Sequence, residues 1–139
     1  YVQEVQKRVE KAGERVKFTG YIENQKLYRY YQSADIQVIP SLWEEAAGLI
    51  AIEGMLSGLP LIITKSGGMI EYAPSNVAVW IDRDNIIPNL EAAITQLADD
   101  KEKRKEMSEL SLERAKEFPK KKFYEDYIEV FEYERIGER

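Results

Sequence analysis

The sequence alternates short apolar runs with segments whose apolar residues recur every three or four positions. The strand-like runs are residues 16–19, 36–40, 61–64 and 77–81. The helix-like segments are residues 2–12, 25–33 and 47–57, a short one after Gly68, and then 90–97, 101–117 and 123–131. Strands that alternate with helices indicate right-handed βαβ crossovers. The order therefore predicts an α/β, Rossmann-like parallel sheet with helices on both faces, in one domain over residues 1–139.

The residues that are missing from the sequence exclude several kinds of chemistry. The chain has no cysteine, which excludes disulfides and thiolate metal sites and is typical of a cytoplasmic protein. It has no histidine, which excludes Ser-His-Asp, Cys-His and zinc-histidine sites. The net charge of −5 argues against a nucleic-acid partner. Any chemistry must use carboxylates, lysine, arginine, hydroxyls or the backbone, and we predict neither a metal site nor a separate cofactor.

The loops that follow the four strand-like runs are expected to share one edge of the sheet. In parallel sheets of this kind, ligands lie beyond the carboxyl ends of the strands. Three of these loops contain unusual residues, namely Gly20-Tyr21, residues 41–48 and Ser66-Gly67-Gly68. The sequence therefore places the candidate binding site at this edge.

The loop after residue 40 leads into a helix that carries two candidate glutamates. Glu45 precedes the helix, and Glu53 lies within it after seven intervening residues. If the helix begins near Ala47, the N–H groups of Ala47, Gly48 and Leu49 point out of its start, where an anion such as a phosphate is favoured. Glu53 has mostly apolar helical neighbours, and two hydroxyls of a sugar would satisfy its carboxylate.

Each of these features also has an ordinary structural interpretation. Glu53 could be solvated or paired with a lysine or arginine, and Glu45 could be an acid that favours the helix dipole. Gly67-Gly68 could be only a turn, and so could Asp82-Arg83-Asp84, whose spacing is that of metal ligands. The fixed order and spacing of the whole set favours the binding interpretation.

The ordered set resembles the donor-site signature of retaining glycosyltransferase family four, which has the GT-B fold. The matching residues are Pro40-Ser41, Glu45, Gly48-Leu49, Glu53, Ser57-Gly58-Leu59-Pro60, Gly67-Gly68 and Glu71. The chain departs from the family at Ala46-Ala47, where Pro-Phe is usual, and at Gly54, where alanine is usual. The resemblance covers almost the whole chain and identifies it with the C-terminal, donor-binding domain.

The resemblance implies transfer of a sugar from a nucleoside diphosphate donor, with UDP the first choice and GDP the second, to a glycan or glycolipid acceptor. It implies that Glu53 holds the ribose hydroxyls and that Glu45 contacts the transferred sugar as the catalytic residue. It implies no essential metal. The remaining donor-binding positions that it implies are Ala47, Gly48, Leu49, Gly20, Tyr21, Gly67 and Gly68.

The resemblance also implies that the chain is part of a larger enzyme. The family's donor domain has two further strands before the first helix, and its acceptor site lies in an N-terminal domain. We therefore expect a sheet that lacks its first two strands, an isolated chain without activity, and self-association through exposed strand edges. Lysines 120–122 could provide a peripheral contact with anionic lipid at the inner face of a membrane, although a solvated face is the favoured interpretation.

Two other functions remain open from the sequence. One is a non-catalytic α/β module that binds a nucleotide or a partner. The other is a GT-B sugar-nucleotide epimerase, which would use the same donor cleft. Retention of both Glu45 and Glu53 favours the transferase.

Overall fold

The computed structural model describes residues 2–44 and 48–118 of the chain. Strands and helices alternate along most of this length. The helices are α1 (Val2–Ala12), α2 (Asn24–Ser33), α3 (Leu49–Leu56), α4 (Met69–Tyr72), α5 (Ile86–Asp99) and α6 (Lys101–Ala115). The strands are β1 (Gln37–Ile39), β2 (Leu61–Thr64) and β3 (Ala78–Ile81), and a 3₁₀ turn at Gly13–Arg15 follows α1.

The three strands form one parallel sheet in the order β1-β2-β3. Ile39 pairs with Ile63, and Ile63 pairs in turn with Trp80. The central strand β2 is buried at every position, as its uninterrupted apolar sequence predicts for a strand that is covered on both faces. The three C-terminal strand-like runs of the sequence are therefore confirmed as strands.

Helices cover both faces of the sheet, each over its own apolar core. On one face, Ala51 and Met55 of α3 pack with Leu61 and Ile63 of β2. On the other face, Ile62 packs in a cluster that contains Ala93 and Leu97 of α5 and Met107 of α6, together with Ile81 of β3. This arrangement confirms the α/β, Rossmann-like fold class.

Polar side chains of helix α6 form hydrogen bonds with the rest of the domain. The buried Ser111 hydroxyl donates to the Leu59 carbonyl at 3.0 Å. The Arg114 guanidinium donates to the carbonyls of Glu71 and Tyr72 at 2.8 and 3.0 Å, at the end of α4. Because the last carbonyls of a helix have no intrahelical donor, Arg114 satisfies groups that would otherwise need water.

The prediction of a strand at residues 16–19 is wrong. This segment is not paired in a sheet, and the side chains of Val16 and Phe18 are 44% and 61% exposed. Its apolar pattern is that of a strand, but a strand needs a neighbour to satisfy its backbone, and β1 pairs only with β2 among the described residues.

The apolar character of residues 47–57 nearly all round the helix suggests complete burial, but the structure buries only part of it. Only one side of α3 packs on the sheet and α6, and Leu49, Ile50 and Leu56 are exposed. An apolar sequence cannot tell which side of a helix has a neighbour. As described, the helix begins at Leu49, and residues 45–47 lie outside the description.

Two predictions fall on residues that the structure does not describe, namely the last helix at 123–131 and the lysines at 120–122. Within the described part of the chain, no helix combines the length and apolar character that crossing a membrane requires.

Candidate functional site

The loops after β1 and β2 meet at the carboxyl edge of the sheet. The Thr64 hydroxyl donates to the Ser41 carbonyl at 2.6 Å, and the Ser66 hydroxyl donates to the carbonyl of Trp43. The Gly67 N–H donates to Oε2 of Glu44 at 2.8 Å. The prediction that these two loops lie together is therefore confirmed.

The loop after β3 joins the same edge through Glu44. Oε1 of Glu44 accepts a hydrogen bond from the Arg83 guanidinium, and this bond holds the pKa of the Glu44 carboxyl below its ordinary value. Lys65 and Asp82 form a second ion pair between the loops after β2 and β3, at 3.0 Å. In the sequence, Arg83 stands out only as part of the turn Asp82-Arg83-Asp84. Glu44 was overlooked beside Glu45, and no local pattern marks either residue of this pair.

Gly48 lies immediately before α3 with a left-handed backbone, at φ 52°. A Cβ at this position would lie 2.6 Å from Cγ and 3.3 Å from Cα of Met69. Glycine is therefore required here both by the backbone and by the close approach of α4, independently of any ligand. The contact also places the start of α3 beside Gly68, which precedes Met69.

The start of α3 has the properties of an anion-binding end. No described side chain caps it. The first N–H groups of a helix have no intrahelical acceptor, and they carry the positive end of the helix dipole. Leu49, whose backbone belongs to this end, is 59% exposed. Gly67 contributes less than the sequence suggested, because Glu44 already accepts from its N–H.

Glu53 lies farther along α3, and its side chain is exposed. The spacing from Leu49 is about 6 Å along the helix axis. Its described hydrogen-bond partner is the Tyr31 hydroxyl, which donates to Oε2 at 2.9 Å. Burial and the neighbouring Glu53 carboxylate raise the pKa of Tyr31 to about 12, so the phenol keeps its proton at neutral pH and acts as the donor. The ordinary alternative of a lysine or arginine partner is not seen among the described residues.

Gln37 of β1 lies beneath this pair and was not singled out from the sequence. It is buried, its amide N–H donates to the Ile50 carbonyl at 3.2 Å, and its Oε1 has no described partner. Its amide acts to lower the pKa of the Tyr31 phenol, against the larger effect of burial and Glu53, but it forms no described hydrogen bond with Tyr31. A polar residue in a buried strand is the only signal that could have pointed to it.

The four remaining predicted site residues lie in the unpaired segment after α1 or outside the described residues. Gly20 and Tyr21 fall in the unpaired segment after α1, and the Tyr21 side chain is 90% exposed. Glu45 and Ala47 lie outside the described residues. The structure thus brings together the start of α3, the Gly67-Gly68 loop and, farther along α3, Glu53.

Two further features of the described ranges, metal ligands and cavities, bear on the choice of site. Within residues 2–44 and 48–118, no group of three or more acidic side chains is placed to hold a metal ion. A cavity between β3 and α5 is lined by residues such as Trp80, Asn89 and Gln96. Its lining includes none of the predicted site residues.

The fold and this edge define a Rossmann-like α/β domain with an amide-bearing helix start and an exposed carboxylate. The sequence profile described as "Glycosyl transferases group 1" matches residues 1–114. The chain belongs to this family of glycosyltransferases.

Curated relatives carry the same assignment. The chain is 32% identical over 105 residues to the D-inositol 3-phosphate glycosyltransferase of Corynebacterium diphtheriae, covering 75% of this chain and 24% of that protein. It is 35% identical over 68 residues to an uncharacterized glycosyltransferase of Methanocaldococcus jannaschii, covering 48% of this chain and 17% of the relative. The chain therefore spans at most a quarter of the length of these two relatives.

A solved structure has the same fold. Sucrose-phosphate synthase from Thermosynechococcus elongatus superposes with a TM-score of 0.81 at 26% identity, over 94% of this chain and 34% of that protein. Nearly the whole chain thus corresponds to one part of a larger glycosyltransferase.

Proposed function

We propose that this chain is the donor-binding domain of a retaining glycosyltransferase of family four with the GT-B fold. It would bind a nucleoside diphosphate sugar, UDP-sugar first, for transfer to a glycan or lipid acceptor. Family membership supports the reaction class, and the resemblance of the ordered motif supports the donor domain. The proteins named above include a D-inositol 3-phosphate glycosyltransferase, whose name is consistent with sugar transfer.

The observation that carries the proposal is the exposed carboxylate of Glu53 on a helix whose opposite side forms the core. Tyr31 engages Oε2, which leaves Oε1 available to accept from a ligand. A ribose offers two neighbouring hydroxyl donors, and hydrogen bonds to a charged acceptor are about twice as strong as neutral ones. Glu53 would therefore hold the ribose of the donor.

The start of α3 would receive the diphosphate. Its first N–H groups have no capping side chain among the described residues and favour a negatively charged group, and the chain that precedes it turns through a left-handed glycine at Gly48. The same amides would stabilise the charge that develops on the leaving diphosphate during transfer. Glu45, outside the described residues, would contact the transferred sugar.

Transfer would need a second domain that binds the acceptor. The two halves of such an enzyme close over their substrates, so the isolated chain is expected to bind the donor without turning it over. A contact of lysines 120–122 with anionic lipid would bring the enzyme to a membrane acceptor, since each lysine near such a surface contributes about 1 kcal/mol.

Calorimetric titration of the chain with UDP, GDP and ADP tests the proposal. We expect UDP to bind most tightly and Glu53→Ala to weaken it by about 1–3 kcal/mol, because charge-assisted hydrogen bonds are lost. Glu109→Ala on the exposed side of α6 is the matched control, and it should leave the affinity unchanged. Equal affinity of the Glu53→Ala and unaltered chains would remove Glu53 from the site.

A further inference from the structure

The hydrogen bond between Tyr31 and Glu53 joins helices α2 and α3. Tyr31 lies on α2 and Glu53 on α3, 22 residues later, and β1 runs between the two helices in the sequence. The hydroxyl donates to only one of the two carboxylate oxygens, at 2.9 Å. The carboxylate is thus tethered at Oε2, while Oε1 has no hydrogen-bond donor among the described residues.

Packing against the core also holds the ring of Tyr31. Its ring is half-buried against the core on the α3 side of the sheet. The buried Gln37 amide acts to lower the pKa of the phenol, and it is anchored by its own bond to the Ile50 carbonyl on α3. Packing of the ring against the core therefore holds Tyr31, and its hydroxyl reaches from there to the exposed carboxylate of Glu53.

A tether of this kind changes what an exposed glutamate can do. A free glutamate side chain loses rotamer entropy when a ligand immobilises it. A carboxylate that is already held loses less on binding, so more of the hydrogen-bond energy appears as affinity. Because the tether fixes the position of the carboxylate oxygen, it also favours a ligand whose hydroxyl donor lies at the matching position.

We propose that Tyr31 is a positioning residue, which holds the Glu53 carboxylate so that Oε1 accepts from a ribose hydroxyl of the donor nucleotide. This inference rests on the proposed function, because it assumes that Glu53 faces the ribose. It assigns to Tyr31 a part in selecting a ribonucleotide over a deoxyribonucleotide. The raised pKa of Tyr31 agrees with it, since the phenol remains a donor across the physiological range.

The test compares UDP with 2′-deoxy-UDP by calorimetry on the full chain. The variants are Tyr31→Phe, which keeps the ring, Glu53→Gln, the double variant, and Tyr30→Phe as a control on the same helix. We expect the unaltered chain to prefer UDP by about tenfold, which corresponds to roughly 1.4 kcal/mol. Tyr31→Phe should reduce that preference at least about threefold, and it should have no further effect when Glu53 is already glutamine. Tyr30→Phe should change nothing.

The outcomes separate this inference from the proposed function. If Glu53→Gln removes the preference and Tyr31→Phe preserves it, the positioning role is wrong and the ribose site stands. If Tyr31→Phe weakens both nucleotides equally, the tyrosine is only structural and the inference is again overturned. If the unaltered chain binds both nucleotides equally, or binds neither, the ribose site itself fails and the inference fails with it.

Discussion

A Cβ on Gly54 would lie 1.7 Å from Oε1 of Gln37, closer than any two unbonded atoms approach. The same Cβ would lie 2.9 Å from Cδ2 of Leu61. Alanine is usual at this position in the family that the sequence resembles, so the glycine is a departure with a packing cause. The Gln37 side chain occupies the space that an alanine methyl group would fill.

Gly54→Ala should destabilise the domain although alanine is the better helix former. The helix gains about 0.5–1 kcal/mol from the substitution. Forcing a methyl group into a filled core costs about 1–3 kcal/mol, so the net free energy of unfolding should fall. Urea denaturation followed by circular dichroism measures this change.

The control for Gly54→Ala replaces Gln37, whose side chain is the nearest obstacle to the new methyl group. In a Gln37→Ala background the nearest obstacle is gone and the close contact with Leu61 remains, so adding Gly54→Ala should cost less than it does in the unaltered chain. Equal costs in both backgrounds, or a Gly54→Ala chain as stable as the original, would contradict the packing account.

The ion pair between Glu44 and Arg83 predicts a pH dependence at the Gly67 loop. Arg83 lowers the pKa of Glu44, so the pair stabilises the folded state at neutral pH and loses this effect as the pH falls below about 4.3, the ordinary value for glutamate. The Gly67 amide, which donates to Glu44, should report this titration by NMR. Its midpoint should lie below that ordinary value.

Replacing Arg83 with alanine should move that midpoint upward toward the ordinary value for glutamate, because the guanidinium donor is lost. Lys65→Ala is the matched control, since Lys65 pairs with Asp82 rather than with Glu44. A Gly67 amide with the same midpoint in the Arg83→Ala chain would show that another group sets the pKa of Glu44.

The free edge of β1 predicts self-association of the chain. β1 pairs with β2 alone among the described residues, and Val38 on this strand is 37% exposed. Unpaired strand edges with apolar side chains favour pairing with another copy. Sedimentation velocity should show a weight-average mass that rises with concentration, and Val38→Lys should reduce the rise. A mass that stays constant for the original chain would contradict this prediction.

The sequence predicted the elements that depend on local pattern. The apolar run of β2, the stop after α3 and the periodicity of α5 and α6 each lie within a few neighbouring residues, and the structure has all of them. Residues 16–19 show the limit of that reasoning. Their pattern is that of a strand, but forming one depends on a neighbour that local sequence does not contain.

Two residues of the candidate site stand out in the sequence, and two that lie beside them do not. Glu53 and Gly48 stand out because a charge in an apolar helix and a glycine at its start are local anomalies. Tyr31 and Gln37 do not, since their roles arise from contacts across 13 to 22 residues of sequence. Periodicity places Tyr31 on a helix face and cannot reveal what that face touches.

The most direct test of the account is to find where UDP binds on the chain. In ¹⁵N-labelled protein, the amides that shift on adding UDP should be those of Gly48, Leu49 and Glu53, while Leu97 in α5 should not move. This result would place the nucleotide at the start of α3, beside the carboxylate that Tyr31 holds. Shifts confined to the cavity between β3 and α5, with the amides of α3 unchanged, would contradict the account.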